Sequence, residues 1–337
     1  MGNFLAAPIT DKETERGEGN GLEYGVSAMQ GWRTNMEDSH VAVVGPEGLP
    51  ASTSIFAVCD GHGGKHAADM AANIMVEVFV ATMTDRKLFP GADSKPSPEA
   101  IGAAMRDAFM ALDARLRDTP EVQYGSDQSG CTAISAFLTS THVIVANTGD
   151  SRSVLAKNGK TVAMSYDHKP MNDTERKRIE NAGGMVRANR VNGDLAVSRA
   201  LGDFTYKQRN DLKPEEQQVS AEPEIKVEPR DGTEEFLLIA CDGIWDVLTN
   251  EDACAHVRML MDLGESDMGL IAEDLLDVCL KLGSRDNMSV VIIKFPGAKI
   301  GTGEGVMGLR RDRAAQEAQS LKDSAAEDDG QRQLTLS

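Results

Sequence analysis

SIFAVCDGHGG (54–64) and EFLLIACDGIWD (235–246) each carry an apolar run into Cys-Asp-Gly. Short runs rich in β-branched and aromatic residues and closed by glycine read as buried strands. An Asp-Gly pair by itself is an ordinary turn or cap. Here each pair follows a buried strand, so Asp60 and Asp242 are expected to project from the rigid ends of two strands. Gly61 and Gly243 would then let the backbone come close to a ligand and offer it a carbonyl oxygen. Asp150 closes VIVANTGD (143–150) in the same way, and Asp286 stands just ahead of NMSVVIIKF (287–295). Four acids at strand ends repel one another unless cations neutralise them. An all-oxygen set suits a hard ion, Mg²⁺ or Mn²⁺, better than zinc.

Working outward, GLEYGVSAM (21–29), SHVAVVG (39–45), CTAISAFLT (131–139), THVIVANTG (141–149), SRSVLAKNG (151–159) and EIKVEP (224–229) read as further strands, and KNGK (157–160) as a hairpin turn. Apolar residues at helical spacing mark residues 65–83, 98–116, 250–263 and 268–282. A polar segment around 165–213 holds one short helix, with Asn172 at its start and Gly183 at its stop, and is expected to form a flap over the site. Many antiparallel-type strands with helices in pairs predict a layered α+β sandwich rather than a doubly wound parallel sheet. Residues 1–20, polar and containing glycine, are expected to be a flexible lead. The polar stretch 297–337 is expected to be a disordered tail or a lone solvated helix, leaving one large unit over 21–296.

The chain has 337 residues, 41% of them hydrophobic, enough for a large core. Its net charge of −18 argues against a nucleic acid partner, since binding a polyphosphate relies on Lys and Arg. No apolar run approaches the roughly 18 to 20 residues of a membrane span, and the N-terminus lacks the basic and apolar regions of a secretory signal, so a soluble, intracellular protein is expected, cytoplasmic and monomeric. The five cysteines have neither a paired framework nor zinc-site spacing and read as reduced core residues. Near the acids, RTNMED (33–38) supplies Arg33, whose planar guanidinium suits a phosphate. His62 stands two residues from Asp60, well placed to donate a proton.

RTNMED, FAVCDGHGG, SGCTA, NTGDSR, RVNGDLAVSRALGD, LLIACDGIWDV and GSRDNMSVV, in that order, resemble the motif series of the metal-dependent protein serine/threonine phosphatases of the protein phosphatase 2C class. The resemblance runs from about Gly21 to Phe295, and MGNFLAAP and SAMQGWR resemble the animal alpha/beta-type members. It implies a central antiparallel β-sandwich flanked by helix pairs, four layers in all, and hydrolysis of phosphoserine and phosphothreonine by a hydroxide held between two Mg²⁺ or Mn²⁺ ions. By the same resemblance Asp60 bridges the two ions and Gly61 binds through its carbonyl oxygen. Asp242 and Asp286 complete one ion's ligands, and Glu37 holds the other ion through water. Asp150 and Asp246, with Asp242, match a weaker third cation site. Arg33 would hold the substrate phosphate, His62 would protonate the leaving group, and Arg190 matches a position of substrate contact. Gly63 stands where the animal relatives often have Ala.

An aspartyl-phosphate phosphatase would need an Asp-x-Asp pattern, which Val58 breaks. The alternative is a pseudophosphatase that binds phosphoproteins without turnover, a reading that the full set of acids disfavours. MGNFLA offers Gly2 for myristoylation, although Ala6 replaces the usual Ser or Thr. One acyl chain would add reversible membrane contact to a cytoplasmic or nuclear location.

Overall fold

The structure is a computed structural model that describes residues 4–91, 94–316 and 318–319. Two antiparallel sheets carry the fold. The first runs β1 (Phe4–Gly19), β2 (Leu22–Arg33), β14 (Met288–Lys294), β13 (Glu234–Ala240), β7 (Arg152–Lys157), β8 (Lys160–Ala163) in spatial order. The second runs β12 (Glu224–Pro229), β6 (His142–Thr148), β5 (Gly130–Leu138), β4 (Ser54–His62), β3 (Ser39–Val44), with β11 (Leu201–Gly202) paired to the start of β5. Alternation along these strands sends one set of side chains between the sheets. Val26, Phe56, Val58, Ile134, Ile239 and Val291 form that inner core, fully excluded from solvent, and Tyr24 meets Phe56 edge-on across it at 5.2 Å.

The other face of the second sheet packs against α1 (His66–Asp85) and α2 (Pro98–Arg117) through residues such as Ile55, Met75, Phe79, Met105 and Phe109. The other face of the first packs against α6 (Asn250–Asp262) and α7 (Met268–Lys281) through Leu238, Val257, Leu260, Ile271 and Leu275. Four layers result, helix pair, sheet, sheet, helix pair, in the α+β arrangement that the strand and helix patterns predict. Short α3 (Pro120–Gln123) follows α2. The segment between β8 and β12 holds α4 (Asp173–Asn181) and the two-residue hairpin strands β9 (Val186–Arg187) and β10 (Arg190–Val191). The KNGK turn forms as expected, since Lys157 pairs with Lys160 across Asn158 and Gly159, at φ 50° and 73°. All five cysteines are buried and free.

Three expectations are corrected. The lead is not flexible over its described length: β1 pairs with β2 along most of the ladder and is tied to α7 by Lys12–Asp277 at 2.6 Å and Arg16–Asp267 at 2.7 Å. It is a charged edge strand held by backbone hydrogen bonds, which need no apolar alternation. The tail docks over its first twenty residues. Helix α8 (residues 305–316) buries Val306 against the α6–α7 layer, Leu309 packs beside it, and Arg313 pairs with buried Asp274 at 2.7 Å. Finally, α1 is long and apolar enough by composition to cross a membrane, yet it buries Ala67, Ala71, Met75, Phe79 and Met83 against the second sheet.

Candidate active site: a carboxylate cluster where the two sheets meet

The two Cys-Asp-Gly segments come from different sheets and meet at one end of the sandwich. Each reaches the cluster by its own local structure. Asp60 lies inside β4, opposite Thr132, and the strand continues through His62. Asp242 opens the one-turn helix α5 (Asp242–Trp245), which follows Cys241 at the end of β13, with Asp246 as its cap residue. Four residues apart on that turn, Asp242 and Asp246 share a face. The strand-end expectation therefore holds for Asp150, just past β6, and for Asp286, just before β14. It is replaced by a strand interior at Asp60 and a helix start at Asp242.

Close backbone approach explains both glycines. A Cβ on Gly61 would lie 2.2 Å from the Glu37 carbonyl oxygen, and one on Gly243 would lie 2.1 Å from the Asn287 carbonyl oxygen. Neither position has room for a side chain. Asn287 then clamps the Arg33–Asp38 segment: its Oδ1 accepts from the Glu37 amide at 3.0 Å, and its Nδ2 donates to the carbonyls of Gln30 and Asn35 at 2.9 Å.

Carboxylate oxygens of Asp60, Asp150 and Asp242 lie within 4.8 Å of one another. Burial pushes the Asp60 carboxyl well above its ordinary range, and the charges of Asp242, Asp38, Asp150 and Asp286 push it further. Asp242 is raised by burial and then by Asp150, Asp286 and Asp246. Burial also raises Asp246, against the opposing charge of Lys169. Asp38, a residue the motif reading passed over, donates its carboxylate to the same group. Its Oδ2 accepts from Ser289 Oγ at 2.7 Å, its Oδ1 is buried without a hydrogen-bond partner, and burial holds its pKa up to about 6. Asp150 Oδ1 is likewise buried and unpartnered. Orphaned carboxylate oxygens inside a like-charged cluster are costly unless a cation receives them. Cys241 borders the cluster, but burial and the neighbouring carboxylates push its thiol well up, so it stays protonated. The donor set is oxygen, which fits a hard divalent cation.

Around this cluster, Arg33 ends β2 with its Nε 3.3 Å from Asp286 Oδ1. His62 Nε2 bonds to Asp203 Oδ2 at 2.7 Å. Burial disfavours the imidazolium, but that bond, the Asp203 charge and the more distant Asp150 and Glu37 outweigh it, and the His62 pKa is raised. Asp203 occupies the left-handed region at φ 51° and its amide donates to the Ser129 carbonyl, so a strained backbone holds the carboxylate in place. Gly130 leaves space for the pair: a Cβ there would lie 2.2 Å from Asp203 Oδ2 and 2.6 Å from His62 Nε2. Asp38, Asp203, Lys169 and Asn287 are the residues that sequence reasoning missed. All but Lys169 stand in the quoted motifs, but only proximity reveals their partners. Arg190 belongs to the β9–β10 hairpin, where it is exposed and donates to the carbonyl of Asp194, just past the hairpin.

The sequence profile described as Protein phosphatase 2C matches residues 22–288. Human "Protein phosphatase 1A" is 44% identical over 300 residues, covering 88% of this chain and 77% of the relative. Mouse "Protein phosphatase 1B" is 44% identical over 301 residues, covering 88% and 76%. Among solved structures, a phosphatase from a pathogenic strain of Toxoplasma gondii aligns with a TM-score of 0.70 at 24% identity, over 86% of this chain and 97% of that one. A sex-determining protein of C. elegans aligns with a TM-score of 0.65 at 25% identity, over 86% of this chain and 65% of that one.

Proposed function

Because this chain belongs to the protein phosphatase 2C family, we propose a division of labour among the clustered residues for its reaction. The protein is a serine/threonine phosphatase whose substrates are phosphoproteins, and the family is metal-dependent. The observation that carries the site reading is the convergence of Asp60, Asp150 and Asp242, with buried, unpartnered carboxylate oxygens on Asp150 and on neighbouring Asp38. Asp60, the Gly61 carbonyl, Asp242, Asp286 and Glu37 would hold two divalent cations, Mg²⁺ or Mn²⁺, with Asp150 and Asp246 available to a weaker third. When bound, such cations offset the carboxylate repulsion and bring the pKa of water toward neutrality, which supplies a nucleophile without a phosphoenzyme.

The chain's own groups do the rest. Arg33, whose Nε lies 3.3 Å from Asp286 Oδ1, presents a planar fork that can take two phosphoryl oxygens and offset charge as the bond to the leaving oxygen breaks. His62 is kept protonated by Asp203 through Nε2, and its Nδ1–H can pass a proton to the departing serine or threonine oxygen. Arg190, on an exposed hairpin, would contact substrate only at a distance from the reacting atoms. Myristoylation at Gly2, which lies outside the described residues, would add reversible membrane contact to a cytoplasmic or nuclear location, and the mass of the native N-terminus tests it.

The deciding experiment is hydrolysis of a phosphothreonine peptide by the purified protein, with Mg²⁺, with Mn²⁺ and with chelator. Turnover with either ion that chelator abolishes is expected. No turnover with either ion would favour a phosphoprotein-binding role, and turnover that survives chelation would overturn the cation assignment.

A further inference from the structure

The cluster has an outer end, Asp150 with Asp242 and Asp246, where the chain itself supplies a positive charge. Lys169 Nζ ion-pairs with Asp150 Oδ2. Asp150 is 3% exposed, and its second oxygen, Oδ1, is buried without a partner. The ammonium also acts on Asp242 and Asp246, in each case against the repulsion of the other acids. We propose that Lys169 is a built-in counter-ion for this end of the cluster, and that it sets how weakly a third divalent cation binds there. The proposal rests on the cation reading above and goes beyond it to a residue outside the ligand set.

A long lysine side chain beside an acid is common, and most such pairs contribute little. This one is built. The backbone around it is pinned to the turn that carries Asp150, because the His168 amide donates to the Gly149 carbonyl at 3.0 Å and the Gly149 amide donates to His168 Nδ1 at 3.2 Å. The His168 carbonyl in turn accepts from the Ser198 amide and hydroxyl, at 3.1 and 2.8 Å. Lys169 therefore starts beside Asp150 whatever its side chain does. Arg152, the neighbouring cation, is taken up by a bidentate pair with Asp167 at 2.6 and 3.0 Å, which leaves the lysine to serve Asp150.

A cation arriving at Asp150 must displace an ammonium already paired there and enter against its charge. Both effects weaken binding most at that end, where the ammonium pairs directly with the Asp150 carboxylate. In the cation-free protein the same ammonium relieves part of the repulsion. Lys169 thus trades third-cation affinity against apoprotein stability.

The test uses Lys169→Met, which keeps the stem and removes the charge, and Lys169→Arg, which keeps the charge. Calorimetric titration of the full chain with Mn²⁺ reads each binding step, and melting is followed in chelator and in saturating Mn²⁺. With Lys169→Met the weakest step should tighten about tenfold or more, the tight steps should stay within about threefold, and melting should fall in chelator but not in saturating Mn²⁺. Lys169→Arg should keep the wild-type weak step. A weak step unchanged or weaker in Lys169→Met, while wild type still binds its tight cations, would overturn the counter-ion role and leave the cation reading standing. Equal melting losses for both variants, with and without Mn²⁺, would likewise overturn it and mark Lys169 as a structural tether. Wild-type protein that binds no Mn²⁺ at all would overturn the cation reading and this inference with it.

Discussion

An alkoxide leaving from phosphoserine is strongly basic and needs a proton as its bond breaks, whereas p-nitrophenolate does not. Loss of a general acid at His62 should therefore depress phosphopeptide hydrolysis roughly 10²- to 10⁴-fold and aryl phosphate hydrolysis far less. His62→Gln should also lose the decline in rate at high pH that reports departure of the imidazolium proton. Asp203 sharpens the test because its bond to His62 Nε2 raises that pKa. A raised pKa keeps the acid form to higher pH, so Asp203→Asn should move the decline to lower pH. Rate–pH profiles on both substrates check this. Equal losses on the two substrates for His62→Gln would reduce His62 to a support for Asp60.

At the scale of elements, a buried carboxylate ties α4 to the segment that leads into β11. Glu175 Oε2 accepts from Arg178 Nη1 at 2.6 Å and Ser198 Oγ at 2.7 Å, and its Oε1 accepts from Arg199 Nη2 at 2.7 Å. Burial alone would raise its pKa, but the bonds and charges of Arg199 and Arg178 outweigh burial and lower it from 4.5 to about 2. A group depressed in the folded state stabilises above its unfolded value and loses that contribution as pH falls toward the folded one. The contribution, about 3 kcal/mol, is thus present above about pH 4.5 and disappears toward pH 2. Wild-type melting temperature should fall across that window, and Glu175→Gln, less stable at neutral pH, should show a shallower fall. Parallel curves would show that the acid loss arises elsewhere. The docked tail gives a second test at this scale. Truncation after Pro296 removes Val306 from its packing and leaves Asp274, which also bonds His256 at 2.9 Å, without Arg313. Stability should drop by about 2 to 5 kcal/mol in denaturant titration, while phosphopeptide turnover at 25 °C persists, because α8 touches the α6–α7 layer and not the acids. Full loss of turnover in a folded truncation would show that α8 supports the site.

Across the whole molecule, folding gathers like charges that the unfolded chain keeps apart. Cations that bind only the folded form add RT ln(1 + [L]/Kd), about 2.7 kcal/mol at a hundredfold excess over Kd. Melting temperature should therefore rise with Mn²⁺ or Mg²⁺ and fall back with chelator. Asp242→Asn should separate the two halves of that effect. Removing one charge from a mutually repelling set should leave the chelated protein at least as stable as wild type, yet nearly abolish turnover and shrink the gain from Mn²⁺. Wild-type activity at low metal in this variant would remove Asp242 from the ligand set.

What the sequence determined by itself is what local patterns encode. Helices at 65–83, 98–116, 250–263 and 268–282 are legible because burial against a sheet imposes helical spacing, and the Asn158–Gly159 turn because a tight hairpin needs positive φ. The ordered motifs identify Asp60, Asp150, Asp242 and Asp286 before any geometry is known. Tertiary structure alone decided that β1 is a strand, since edge pairing uses backbone groups that leave no side-chain period, and that a polar tail docks, through Val306 and Leu309 against the α6–α7 layer and two arginines paired with acids of α7. It decided that Asp242 stands on a helical turn and shares its face with Asp246. It also paired His62 with Asp203 and Asp150 with Lys169, partners separated by 141 and 19 residues. Side-chain type is written locally, but which charge neutralises which depends on distance, and distance between remote residues exists only after the sheets have packed.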